Sequence, residues 1–186
     1  GVVLPLWRYR AAIFREQTTL SGGSRTTGSI GDNRAKRVLY ARRARESLRP
    51  MLVQKLAVPA STLGEGPVWS DRDGCLYYVD IVQHRLQAYT PSTKQHRSWS
   101  FDTYVGSLAE CRSGGLVLIL GERVVRFDPS RGAASIETFV TLEDDRPLNR
   151  LNDGKVDPWG RFWVGSMRID EAASEGRLWC VSPGGG

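Results

Sequence analysis

A glutamate flanked by two glycines, in Leu63-Gly-Glu-Gly-Pro-Val-Trp69, is the first place in this chain where residue types and spacing could do chemistry. Gly64 and Gly66 let the backbone bend and Pro67 sets its exit, so Glu65 is presented at the start of an extended segment. Carboxylate oxygens suit a hard divalent cation such as Ca2+; the same residue also suits a solvated turn. The second place is Arg150-Leu-Asn-Asp-Gly-Lys155. Asn152 and Asp153 could offer oxygen to a metal or to substrate hydroxyls, while Arg150 could hold an anionic or hydroxyl-rich ligand through paired N–H donors. Asn-Asp-Gly is equally an ordinary turn signal.

The elements that must carry these residues are repeats. Arg-Leu-Gln-Ala-Tyr-Thr-Pro-Ser at Arg85 returns as Arg-Val-Val-Arg-Phe-Asp-Pro-Ser at Arg123 and Arg-Leu-Trp-Cys-Val-Ser-Pro-Gly at Arg177. Each phrase follows a small-residue turn and a second apolar run: Cys75 to Ile81, Leu116 to Leu120, Arg161 to Met167. A third short segment precedes each turn, at Gly66 to Trp69, Gly106 to Glu110 and Asp153 to Asp157. A fourth follows the first two phrases, at Gln95 to Phe101 and Ile136 to Leu142. The apolar residues Leu76, Leu116 and Phe162 are spaced by 40 and 46 residues. Four strands in that span are the dimension of a propeller blade, whose apolar faces are buried only by stacking on neighbours. No sustained i, i+3, i+4, i+7 stripe follows Met51, which argues against helical repeats. The reading is an all-β, partial β-propeller of about two and three-quarter blades over residues 51–186, the amino-terminal half of a longer protein.

Charge divides the chain differently. Residues 1–50 hold 11 Lys/Arg against 3 Asp/Glu, a net +8 against −2 for residues 51–186, so the basic character belongs to this leader alone and says nothing of what the propeller binds. The leader lacks periodicity and is expected to be disordered. A nucleic-acid arm or transit peptide ranks lower, and Met51-Leu-Val-Gln-Lys-Leu-Ala-Val-Pro59 reads as a natural start followed by a strand, making residues 1–50 translated upstream sequence. Cys75, Cys111 and Cys180 lack C-x-x-C spacing and are expected to be buried free thiols in a reducing compartment, the cytoplasm. No apolar stretch approaches the length of a membrane span. His84 and His96 are expected to be exposed, Trp69, Trp159, Trp163 and Trp179 to pack blades, and Asp144-Asp145 to lie in a solvated loop.

The constellation Gly-Glu-Gly-Pro-Val-Trp, Tyr77-Tyr-Val-Asp-Ile81 and the run from Arg150 to Met167 resembles the regucalcin (senescence marker protein) and gluconolactonase family, from Met51 to about Pro183. The resemblance implies a six-bladed propeller with one divalent cation, Ca2+ or Zn2+, in its central channel, and hydrolysis of a sugar lactone. By that likeness Glu65 matches a metal ligand, Arg150 and Asn152 match substrate-binding positions, and Asp170 falls near a further substrate-contacting acid, with Glu171 an equal candidate. An Asn and an Asp ligand come from later blades, and the Asp serves as acid/base. No catalytic residue is therefore expected in this stretch, and the chain alone is expected to be inactive. The implied partner is a small-molecule sugar lactone, with nucleic acid and membrane disfavoured. The rival reading is a non-catalytic propeller that binds calcium or a partner.

Overall fold

A computed structural model of the chain describes residues 52–182. The basic leader expected over 1–50 lies outside the described residues. From Leu52 to Leu63 the backbone forms no strand, and Leu52 and Val53 are almost fully exposed. The strand expected after Met51 is therefore absent from 52–59.

Beyond it, eleven strands form three antiparallel meanders among the described residues. The first sheet holds β1 (Gly64–Ser70), β2 (Cys75–Asp80), β3 (Arg85–Thr90) and β4 (Gln95–Ser100). The second holds β5 (Val105–Glu110), β6 (Leu116–Leu120), β7 (Arg123–Phe127) and β8 (Glu137–Thr141), with a single 3-10 turn at Gly132–Ser135. The third holds β9 (Asn149–Val156), β10 (Phe162–Arg168) and β11 (Leu178–Val181), paired in the order β11-β10-β9. Each apolar run and phrase read from the sequence is a strand, and the small-residue segments between them are its hairpin turns. Strand order follows chain order because short turns join only adjacent antiparallel strands.

Stacking explains which residues are buried. All five residues of β6, Leu-Val-Leu-Ile-Leu, are buried. Leu116, Leu118 and Leu120 pack with Cys75, Tyr77, Val79 and Leu86 of the first sheet. Val117 and Ile119 point the other way and pack with Leu151, Phe162 and Val164 of the third. A strand covered on both faces loses the apolar–polar alternation of a half-exposed one, and β2, covered on one face, keeps it at its start. The all-β architecture is thus a set of stacked blades, a partial propeller.

Candidate functional site

The first strand of each sheet lies beside its counterpart in the next: β1 packs on β5 and β5 on β9. All three carry a break in register near their start, between Glu65 and Val68, between Val105 and Leu108, and opposite the Val164–Ser166 stretch of β10. Such bulges add a residue to one strand and re-aim its side chains. Counting from Leu76, Leu116 and Phe162 through these pairings sets Glu65, Gly106 and Asn152 at one level, and Gly66, Ser107 and Asp153 at the next. The two segments singled out in the sequence, 87 residues apart, therefore occupy equivalent positions in separate sheets.

Gly106 lets them approach. A Cβ there would run into the backbone carbonyl oxygens of Asn152 and Leu151, the latter 2.9 Å away. Ser107 fastens the next level: its Oγ donates to Asp153 Oδ1 at 2.9 Å and lies 3.7 Å from where a Cβ on Gly66 would stand. Gly66 itself has φ +57, in the left-handed region that favours glycine. Asp153 Oδ1 also accepts from the Gly154 N–H at 2.7 Å. This carboxylate is thus a clamp between the second and third sheets, its Oδ1 held by two protein donors.

Arg150 and Asn152 are brought together. Arg150 Nη1 donates to Asn152 Oδ1 at 2.7 Å and to Leu151 O at 3.2 Å, and its guanidinium stacks over Tyr104 with Cζ 5.3 Å from the ring centroid. Only 8 % of Arg150 is exposed. Burial pushes its pKa down, against the opposing influence of Tyr104 and Glu171; arginine nonetheless remains charged. His84 also meets Tyr104, edge-on at 4.7 Å between centroids. It is half-buried rather than exposed, as is His96, which shares a hydrogen bond with Gln87 at 3.0 Å.

Asp170 behaves differently from Glu171. Arg168 grips both Asp170 oxygens, Nε to Oδ1 at 2.6 Å and Nη2 to Oδ2 at 3.0 Å, and the Ala172 N–H also donates to Oδ1. Glu171, with φ +56, is the acid whose charge acts on Arg150. Glu65 is exposed and no side chain or backbone group among the described residues bonds to its carboxylate. Its free oxygens are the right chemistry for a hard cation, and among the described residues no cluster of three His, Cys, Asp or Glu side chains accompanies it.

Two contributors escaped the sequence. Tyr104 and Ser107 lie in an unremarkable Thr-Tyr-Val-Gly-Ser stretch whose only signal is a glycine after an apolar residue. Glu143, for which sequence reasoning offered no reading and which precedes the exposed Asp144-Asp145 loop, is buried to 2 % exposure. It accepts from Asn149 Nδ2 at 2.7 Å, Ser166 Oγ at 2.8 Å and Trp179 Nε1 at 2.7 Å. These bonds tie the entry of β9, one residue before Arg150, to β10 and β11. Trp179 is thus a donor as well as blade packing, whereas Trp159 is 71 % exposed and packs no blade. Cys180 is exposed, unlike the buried Cys75 and Cys111. No helix among the described residues is long and apolar enough to cross a membrane.

Comparison with known proteins places these features. Residues 63–186 match the family model described as SMP-30/Gluconolactonase/LRE-like region. The chain is 41% identical over 105 residues to regucalcin of Xenopus laevis, covering 56% of this chain and 34% of the relative. It is 29% identical over 119 residues to a Bacillus subtilis (strain 168) protein named as a candidate sugar lactone lactonase, covering 64% of this chain and 40% of that one. The solved structure of a luciferin-regenerating enzyme superposes with a TM-score of 0.61 at 33% identity, over 66% of this chain and 43% of the other. The chain spans less than half the length of each of these relatives. With the family model matched over most of the described residues, the chain belongs to the SMP-30/gluconolactonase/LRE-like family.

Proposed function

We propose that this chain carries the substrate-orienting groups and one metal-binding carboxylate of a metal-dependent sugar-lactone hydrolase. The observation that carries the reading is the Arg150–Asn152 pair on the β9 bulge, level with the free carboxylate of Glu65 on β1. Bidentate N–H donors and an amide suit the ring oxygens and hydroxyls of a lactone. The Tyr104 face and the Asn152 bond hold the guanidinium in one orientation, so little freedom is lost when substrate arrives. Glu171 is a better placed acid than Asp170, whose oxygens Arg168 already holds. A divalent cation, Ca2+ or Zn2+, held in part by Glu65 would polarise the carbonyl and acidify water.

The proton acceptor is expected from residues outside this stretch, so residues 1–186 alone should turn over no lactone. The domain so defined is 51–186, and three unpaired cysteines agree with a reducing, cytoplasmic setting. The alternative is a calcium-binding or partner-binding propeller without catalysis. Lactone hydrolysis by the full-length gene product, with and without divalent metal, decides between them. Glu65→Gln should abolish the metal-dependent rate; unchanged turnover by that variant would refute the role given to Glu65.

A further inference from the structure

Arg150 is held unevenly. Among the described residues only Nη1 of its guanidinium has hydrogen-bond acceptors, Asn152 Oδ1 and Leu151 O. A flat group gripped at one corner can swing about that corner, so its plane is set by the Tyr104 ring, 5.3 Å from Cζ to centroid. That ring is half-buried. It packs on the core between the first two sheets and meets the His84 ring at an interplanar angle of 67°. Three elements thus come together at one end of the strands: His84 closes the turn between β2 and β3, Tyr104 immediately precedes β5, and Arg150 is the second residue of β9. Backbone bonds run alongside the stack. His84 O accepts the Phe101 N–H at 3.0 Å, Tyr104 O accepts the Gly121 N–H at 2.9 Å, and Gly121 O accepts the Leu151 N–H at 2.8 Å.

The turn itself does not call for an imidazole. His84 has φ +54, a left-handed conformation that glycine adopts without strain and asparagine tolerates. What histidine adds there is a ring against Tyr104. We infer that His84 is a positioning residue for ligand binding, acting through Tyr104, from 66 residues away in the chain, to hold Nε and Nη2 of Arg150 in the orientation that meets substrate. The inference rests on the substrate-binding role proposed for Arg150; the stack of His84, Tyr104 and Arg150 does not. An edge-on ring pair and a cation over a ring face are each favoured by the ring's quadrupole. Without the His84 ring, Tyr104 can tilt and the guanidinium can swing, a freedom the ligand must then remove on binding.

The test uses the full-length gene product with gluconolactone as the probe. The Nε–H NMR signal of Arg150, identified by its loss in Arg150→Lys, is a readout independent of turnover, and urea midpoints establish that each variant is folded. His84→Gly and His84→Asn both suit the turn and both remove the ring. Each should raise KM about threefold to tenfold, the range of one aromatic pair, with kcat changed by less than about twofold. His84→Phe keeps a ring and should restore KM. Tyr104→Leu should raise KM at least as much, while Tyr104→Phe should leave it unchanged. In the Tyr104→Leu background His84→Gly should add nothing, because the intermediary is gone. The Arg150 signal should shift in His84→Gly and Tyr104→Leu and return in His84→Phe.

A KM unmoved by His84→Gly and His84→Asn overturns the proposal, as does a fall in kcat with KM unchanged. An equal rise of KM in His84→Phe overturns it too, since the imidazole nitrogens rather than the ring contact would then matter. So does an equal rise in Tyr104→Phe, which would put the phenol itself on the substrate. An Arg150 signal indifferent to His84→Gly likewise sinks it. If gluconolactone is not hydrolysed at all, the lactone reading falls and the Arg150 signal alone decides: a shift that His84→Phe reverses keeps the positioning stack, and no shift removes it.

Discussion

Replacing Glu143 tests whether one buried carboxylate holds the entry of β9 in place. Its Oε1 accepts from both Ser166 and Trp179, and its Oε2 from Asn149. Glu143→Ala removes all three bonds. Ser166 Oγ keeps a contact with Arg177 O and still accepts the Arg177 N–H, and Asn149 keeps Glu175 O, but the Trp179 N–H loses its acceptor. Removing one member of a buried charged network costs about 3–5 kcal/mol, so about 4 kcal/mol is expected. At ~2–4 °C per kcal/mol for a domain of this size, the melting temperature should fall by roughly 8–16 °C. Glu143→Gln should cost about half as much. Its carbonyl can keep Ser166 and Trp179, while its amide opposes Asn149 unless that side chain turns its unpartnered Oδ1 inward at the expense of the Glu175 bond.

The same carboxylate has a pH signature. Burial pushes its pKa up, but the bonds from Asn149, Ser166 and Trp179, with the Arg177 charge, outweigh this and hold it below the ordinary carboxylate value. A depressed pKa gives stability that is fully present above the unfolded value, about 4.3, and is lost as pH falls through the folded one. The gap between wild type and Glu143→Gln should therefore be constant from pH 7 to about 5 and shrink below pH 4. Urea unfolding followed by tryptophan fluorescence measures both quantities. A Glu143→Ala penalty under 1 kcal/mol, or a gap unchanged between pH 7 and pH 3, would refute the network's role.

Gly106→Ala should destabilise the chain by about 3 kcal/mol, because the new Cβ meets backbone carbonyl oxygens of β9 that no rotamer change can move; the urea midpoint reports it. Asp157 should stay ionised to about pH 2 in an NMR titration. Desolvation raises its pKa, but bonds from Trp163, Arg161 and Trp159 together pull it to about 2, and its contribution to stability should vanish as pH falls through that value. At pH 8 a maleimide should label Cys180 quickly, while Cys75 and Cys111 react only on unfolding. Both are buried, and burial pushes the Cys111 thiol to about 11; rapid modification of all three would contradict this.

The repeat was legible because strand pairing and blade stacking leave local marks. Apolar alternation in Cys75–Asp80, the doubly covered run Leu116–Leu120 and the glycine turns before each show in a single stretch of chain, since a strand's two faces alternate residue by residue. The family resemblance drew on equally local runs, and the matching of Glu65 with Asn152 followed from their places at the starts of first strands. What contiguous sequence cannot carry is the partner of a side chain that crosses between sheets. Whether Asp153 is a ligand or a clamp depends on Ser107, 46 residues earlier. Whether Glu143 is solvated or buried depends on Ser166 and Trp179, and whether Asp170 or Glu171 faces Arg150 depends on where Arg168 swings. Periodicity thus determined which segments are strands and how they stack. Tertiary contact alone decided which polar groups are consumed in holding the sheets together and which stay free to meet a ligand, because a hydrogen bond is settled by ångström-scale distance and angle between residues far apart in the chain.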